Sequence, residues 1–172
     1  MYEFELRAKI LDKDLFLSNL SMIGCALDEA VLQEDLIYIH EGVSPILRIR
    51  RENSHNILTV KTLQENRNTA KEYEVVFDDY ENMKEILKQF GFNEPIKLTK
   101  TRRTTSFKGF SITFDSIEEL GYFVEVETLK KDEINAHFIY EEIKKILFVL
   151  GILEDSITEK KYYEMLMDKI LQ

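Results

Sequence analysis

The N-terminal stretch Tyr2-Glu3-Phe4-Glu5-Leu6-Arg7-Ala8-Lys9-Ile10 alternates without a break between charged and apolar side chains. Successive side chains of a β-strand point to opposite faces, so Glu3, Glu5, Arg7 and Lys9 share one face and the apolar residues share the other. The same split recurs along the chain. Arg48 and Arg50 stand opposite Leu47 and Ile49, and Glu72 and Glu74 oppose Tyr73, Val75 and Phe77. Lys100 and Arg102 share a face; Thr113 and Asp115 oppose Ile112 and Phe114; Glu125 and Glu127 oppose Tyr122, Val124 and Val126.

A single strand of this kind is ordinarily half-buried with a wet charged face. Two features argue otherwise when the strands are taken together. Amphipathic helices already supply much of the polar outer surface, and they need an apolar sheet face to pack on. The charges also come as tight i,i+2 pairs of one sign, where an exposed strand usually mixes in Thr, Ser, Gln and Asn. Both point to an inverted arrangement, with the apolar side of the sheet outward under helices and the charged side inward.

Period-2 patterning predicts strands at about 2–10, 31–39, 46–52, 57–63, 71–77, 97–105, 109–115 and 121–129. Helical patterning predicts helices at about 12–24, 79–90, 133–150 and 158–170. Asp78 with Glu81, and Ser156 with Glu159, have capping-box spacing, Gly91 reads as a helix stop, and Ser116–Glu119 as a turn between the last two strands. Pro45 and Pro95 each precede a strand. The fold class expected is α+β: an eight-stranded antiparallel closed β-barrel with helices outside, in one domain spanning residues 1–172.

A dry interior of this composition would be very costly, since a buried unpaired charge costs several kcal/mol or more. A water-filled tunnel that binds charged ligands removes the objection. Arginine pairs offer forked donors to phosphate oxygens, and carboxylate pairs offer hard oxygen ligands to Mg²⁺ or Mn²⁺. Bases and acids lining one channel therefore suggest a polyanion together with its metal.

Composition narrows the alternatives. The formal net charge of −9 argues against general affinity for nucleic acid or an anionic membrane. The longest apolar run, around Ile146–Leu153, is too short to span a bilayer, and no signal-peptide core follows the N-terminus. Cys25 is the only cysteine, which fits a reducing, cytoplasmic setting. His40, His55 and His137 lack the spacing of a zinc site. No phosphate-binding glycine loop or dinucleotide fingerprint is present. Tyr162, Tyr163, Met165, Leu166 and Met167 read as packing residues of a terminal helix that could shape one tunnel mouth.

The motifs resemble those of the CYTH superfamily, which joins class IV adenylyl cyclases with thiamine triphosphatases and related triphosphatases. Glu3-Phe4-Glu5-Leu6-Arg7 is similar to its ExExK signature, and Leu47-Arg48-Ile49-Arg50-Arg51 to its LRxRR strand. Ile57-Leu58-Thr59-Val60-Lys61 resembles the LTxK strand, Lys71-Glu72-Tyr73-Glu74 the REEYE-like strand, and Lys100-Thr101-Arg102-Arg103 the KxR strand. Phe114-Asp115 followed by Leu120-Gly121-Tyr122-Phe123-Val124-Glu125-Val126-Glu127 is similar to the D…GLGxFxEIE segment. The helix ending Leu87-Lys88-Gln89-Phe90-Gly91-Phe92 also has a counterpart.

The resemblance implies roles. Glu3, Glu5, Asp115, Glu125 and Glu127 would hold Mg²⁺ or Mn²⁺, with Glu72 and Glu74 as further acidic candidates. Arg48, Arg50, Lys61, Lys100 and Arg102 would bind the triphosphate. Glu5, Arg7 and Lys9 would form the catalytic group on the first strand. Arg7 stands where the signature has lysine, and arginine does not exchange a proton near neutral pH, whereas Lys9 faces the same side two residues on. The implied substrate is a nucleoside triphosphate or another small triphosphate or polyphosphate. In a cyclase the ATP 3′-hydroxyl attacks the α-phosphorus and pyrophosphate leaves; in a triphosphatase water attacks a terminal phosphorus. A non-catalytic polyphosphate binder is the alternative of another class, and monomer and homodimer both remain open.

Overall fold

The computed structural model describes residues 2–40, 43–63, 69–131 and 136–170. Eight strands run in sequence as β1 (Tyr2–Lys9), β2 (Val31–His40), β3 (Val43–Glu52), β4 (His55–Leu63), β5 (Thr69–Phe77), β6 (Ile96–Phe107), β7 (Phe110–Ile117) and β8 (Gly121–Lys130). Four helices intervene or follow: α1 (Lys13–Met22), α2 (Tyr80–Gln89), α3 (Ala136–Val149) and α4 (Tyr162–Ile170). A two-residue strand, β9 (Ile157–Thr158), precedes α4.

The sheet order is β5-β4-β3-β2-β6-β7-β8-β1-β9, and a further β5–β1 pairing closes it into a barrel. The eight barrel strands pair antiparallel throughout. The closing seam is short, Tyr2 to Phe4 against Lys71 to Thr69, whereas the other edge of β1 pairs with β8 from Tyr2↔Lys130 to Lys9↔Phe123. Closure leaves no barrel edge open to another chain's strand along these pairings.

The barrel is inverted as the alternation predicts. Phe4, Leu6 and Ala8 of β1, Ile112 and Phe114 of β7, and Val124 and Val126 of β8 are buried on the outer face. They pack beneath Phe16 and Leu20 of α1 and Ile139, Ile143, Ile146 and Leu147 of α3. Phe16 stacks on Phe114 with ring centroids 5.8 Å apart. Leu87 of α2 covers Tyr38, Leu47 and Ile49 on another part of the outer wall. Thus the amphipathic helices cover the apolar exterior of β1, β7 and β8 and part of that of β2 and β3, whereas Tyr73 and Val75 on the outside of β5 stay exposed.

One end of the interior is not charged. Ile37, Leu98, Ile117 and Phe123 face inward there and pack against Tyr162 and Leu166 of α4. The terminal helix therefore closes that end with an apolar layer.

Local signals differ from expectation at four points, the first being Pro45, which lies inside β3 rather than before it. The α2 cap is Asp79, whose side chain accepts from Asn82 N at 2.9 Å, rather than Asp78. The Ser156–Glu159 box does not start α4: Ser156 ends a single 3-10 turn, and the helix begins at Tyr162, where Glu164 accepts from Lys161 N at 2.7 Å. The strand β7 runs on through Ile117, so the expected Ser116–Glu119 turn is shortened to the residues after it. Gly91 does stop α2, at φ +88°, with Gly91 N donating to Lys88 O and Phe92 N to Leu87 O.

Gly151 ends α3 in the same way, at φ +81°, but in a tighter place. A Cβ on Gly151 would meet Asn19 Nδ2 of α1 at 2.6 Å, while one on Gly91 meets nothing within 4 Å. Alanine at either site imposes a left-handed backbone penalty of about 1 kcal/mol or more. Gly151→Ala is therefore expected to lower the thermal midpoint further than Gly91→Ala, and equal losses in parallel melts would show that α1 yields freely.

Candidate active site in the barrel interior

The inward faces enclose a cavity of about 300 Å³, lined by seven basic and seven acidic side chains. Opposite charges meet across neighbouring strands. On β3, Arg50 forks onto Asp35 of β2, with Nε–Oδ1 and Nη2–Oδ2 distances of 2.7 and 2.8 Å. On β6, Arg102 donates through Nε to Asp115 Oδ1 of β7 at 2.7 Å and also pairs with Glu125 of β8. On β1, Arg7 pairs with the same Glu125 and reaches Glu5 at 2.8 Å. Lys61 of β4 bridges both oxygens of Glu3 at 2.8 and 3.0 Å. Such bidentate and charge-assisted contacts are the geometry that makes a charged interior tolerable.

Asp115 is fully buried and holds Lys100 at 3.2 Å, Arg102, and the hydroxyl of Tyr162, which donates at 3.0 Å. It thus fixes the basic side of the cavity from behind. Arg48 is held more loosely. Its Nη2 donates to Thr59 Oγ1 at 3.0 Å, its carboxylate neighbours Glu74 and Glu72 stand 3.4 and 3.7 Å away, and its buried Nε has no hydrogen-bond partner.

Glu3, Glu5 and Glu127 form a separate acidic group whose oxygens lie within 4.8 Å of one another. Three carboxylates converging on one point are hard oxygen donors suited to Mg²⁺ or Mn²⁺. The residues present therefore fit a divalent ion.

The electrostatics follow this geometry. Burial works against the charge of Arg7, but Glu125 and Glu5 outweigh it and hold the guanidinium more firmly protonated than usual. Burial also opposes the ammonium of Lys61, and Glu5 and Glu3 outweigh it in turn. Lys100 goes the other way: burial, then Arg102, push it down to about 8. Burial and Arg50 together lower Arg48. Glu127 is pushed up to about 8, by burial first and then by Glu3, Glu125 and Glu5.

Most residues singled out from the sequence meet here. Glu3, Glu5, Arg7, Arg48, Arg50, Lys61, Glu72, Glu74, Lys100, Arg102, Glu125 and Glu127 all line the cavity. Lys9 does not join them. It is exposed at the end of β1, opposite Phe123 of the apolar layer, so it does not stand beside Arg7 in the charged interior. Asp115 and Glu125, expected beside the metal, are engaged by guanidinium groups and lie outside the acidic triad.

Asp35 and Lys161 are not expected from the alternation, and Tyr162, expected as a packing residue, also joins the site through its hydroxyl. Asp35 sits in the run Gln33-Glu34-Asp35, where unbroken polarity hides the alternation. Lys161 enters from the turn before α4 and Tyr162 from the first position of that helix, and Lys161 Nζ lies 3.3 Å from Glu5 Oε1. Strand periodicity carries no signal for side chains that come from outside the barrel.

A family model described as "CYTH domain" matches residues 1–162. The chain belongs to the CYTH family. It is 30% identical over 174 residues to a Methanocaldococcus jannaschii protein named "Putative adenylate cyclase", with 96% of this chain and 98% of that one covered. A solved structure from Pyrococcus horikoshii OT3 matches with a TM-score of 0.83 and 29% identity, covering 97% of this chain and 99% of the other. A Hippeastrum structure, described as a putative adenylyl cyclase that reveals a dominant triphosphatase activity, shares the fold at a TM-score of 0.61. Its identity is 12%, with 99% of this chain and 96% of that one covered, so the likeness concerns the fold alone.

The raised Glu127 has a measurable consequence. A carboxyl whose folded pKa lies above its ordinary 4.5 favours the protonated native state. That stabilisation is complete below the unfolded value and is lost as pH rises through about 8. In excess chelator, the melting temperature of the protein is expected to fall between pH 5 and 8 more steeply than that of Glu127→Gln, whose amide does not ionise. Parallel pH profiles for the two proteins would contradict the assignment.

Proposed function

We propose that the protein is a divalent-metal-dependent enzyme acting on a triphosphate held in the barrel, most similar to class IV adenylyl cyclases that convert ATP to cyclic AMP and pyrophosphate. One observation carries the reading: the cavity wall carries seven basic and seven acidic groups, and three of the acids, Glu3, Glu5 and Glu127, converge on one point. A wall of near-zero net charge does not by itself offset a triphosphate. The acidic triad offsets it once a divalent cation is present, which is why anion and metal belong together here.

Arg48, Arg50, Lys61, Lys100 and Arg102 would bind the phosphate chain. The free Nε of Arg48 makes it the readiest donor. Asp35 and Asp115 would hold Arg50 and Arg102 at fixed angles, so that these forks meet the phosphates without first being ordered. Glu3, Glu5 and Glu127 would hold the metal, with Glu72 and Glu74 on the neighbouring acidic wall. The metal would supply Lewis-acid neutralisation of phosphate charge and activation of the attacking oxygen. Arg7 would keep Glu5 and Glu125 in place without exchanging a proton. Lys100, shifted towards neutrality, is better suited to proton exchange than Arg7 or the exposed Lys9.

Triphosphate hydrolysis is the second reading, because a cavity that would hold the phosphates of ATP would equally hold tripolyphosphate or the phosphates of thiamine triphosphate. The name of the M. jannaschii relative favours the cyclase, and the Hippeastrum structure is a case in which the same fold is described with a dominant triphosphatase activity. A non-catalytic binder is disfavoured, since anion binding alone gains nothing from three converging carboxylates. The lone Cys25 is free and fits a reducing cytoplasmic setting.

The deciding experiment is ³¹P NMR of the purified protein with Mg²⁺ or Mn²⁺, given ATP and inorganic tripolyphosphate in parallel. A cyclic phosphodiester signal accompanied by pyrophosphate is expected. Orthophosphate from tripolyphosphate, with ATP intact or merely hydrolysed, would replace the cyclase with the triphosphatase. Binding of both anions with no turnover would leave a binding module. Excess EDTA is expected to abolish turnover. Glu5→Gln is expected to lower kcat by about 10²-fold or more with the circular dichroism spectrum unchanged, in line with the loss of a charged active-site group. Full turnover in the variant would remove Glu5 from the site.

A further inference from the structure

The acidic triad already carries two ammonium groups of the protein's own, besides the Arg7 guanidinium 2.8 Å from Glu5. Lys61 Nζ contacts both oxygens of Glu3, and Lys161 Nζ lies 3.3 Å from Glu5 Oε1. These ammonium groups reach the triad from different elements, β4 and the segment between β9 and α4. Lys161 is 8% exposed and lines the cavity.

The backbone around Lys161 is tied down. Thr158 and Ile157 of β9 pair with Arg7 and Ala8 of β1, and Arg7 Nη1 donates to Lys160 O at 3.1 Å. Tyr162 is buried, with the Arg7 guanidinium 4.2 Å from its ring centroid and its hydroxyl on Asp115. The freedom at this position therefore lies in the four-carbon stem of Lys161. Arg7 and Lys61 surround it as further cations, and Glu5 and Glu125 are the acids that face it.

A divalent cation and an ammonium group cannot both sit on Glu5 without strong repulsion at this distance. We propose that Lys161 is a resident counter-ion of the metal site, a positioning residue that balances Glu5 until a divalent cation displaces it and thereby couples metal binding to anion binding. Its displaced ammonium stays in the cavity, because its backbone does not move. There it opposes the metal when the cavity is empty and is offset when an anionic ligand is present. Metal and anion then bind better together than either does alone, and by linkage each strengthens the other equally. This inference rests on the reading of the cavity as a metal and triphosphate site.

The test uses Mn²⁺ and inorganic tripolyphosphate as probes and needs no turnover, with free Mn²⁺ followed by electron paramagnetic resonance. Lys161→Met keeps the apolar stem and removes the charge. It is expected to bind Mn²⁺ alone more tightly than the wild type, by roughly fivefold, the lower end of coupling between sites. The factor by which tripolyphosphate tightens Mn²⁺ is expected to shrink correspondingly, and Lys161→Arg is expected to restore both wild-type values. Equal or weaker Mn²⁺ binding in a folded Lys161→Met protein would overturn the counter-ion role while leaving the wild-type metal site intact. Lys161→Gln serves the same comparison should the methionine variant not fold. Absence of Mn²⁺ binding in the wild type would overturn the proposed function and this inference together.

Discussion

The whole structure depends on pairing charges across adjacent strands inside a closed sheet. An isolated ion in a protein interior costs several kcal/mol even after relaxation, and removing one partner of a buried pair costs about 3–5 kcal/mol. The barrel meets this by pairing acids with bases on other strands: Asp35 with Arg50, Asp115 with Arg102, Glu125 with Arg7, Glu3 with Lys61. The pairing in turn requires the charged faces to point inward on both strands of each pair. That is favoured where α1, α2 and α3 cover the apolar outer face, over β1, β7 and β8 and part of β2 and β3.

Much of this was legible in the sequence because a strand's alternation has only two phases. Once the apolar set of β1 was assigned to a helix-covered outer wall, Glu3, Glu5 and Arg7 had to point inward, and the same step placed Arg48, Arg50, Lys100, Arg102, Glu125 and Glu127. The phase rule does not say where a strand leaves the charged zone. Lys9 has the right parity, but at its height the interior is filled by Phe123, Ile117 and Leu98, and it stays in solvent. The rule is equally silent about side chains from other elements. Lys161 and Tyr162 reach the site because β9 extends the sheet beside β1 and turns the chain over the barrel end.

Helix starts show a related limit. Asp78 and Asp79 are adjacent and both chemically able to cap, and only the backbone at Asp79 (φ −93°, ψ 93°) decides which one does. Near α4 the capping residue is Glu164, reaching back to Lys161 N, which no forward-reading box from Ser156 would find. Gly91 was readable because a left-handed residue at a helix end is demanded by backbone geometry alone.

The interior cations fall into two mechanical kinds, and the distinction connects stability to function. Arg50 and Arg102 are forked onto carboxylates buried behind them, so their planes are fixed by the fold. Arg48, Lys61 and Lys161 are held by contacts that a ligand can exchange: a hydroxyl and distant acids for Arg48, and the acidic triad for the lysines. The fixed pair offers preorganised donors, which cost no ordering when an anion arrives. On the proposed reading, the exchangeable group would balance the acids until an incoming cation takes its place. A single set of charge pairs thus makes the charged interior tolerable to the fold, and on the proposed reading it would leave part of the wall free to respond to a ligand.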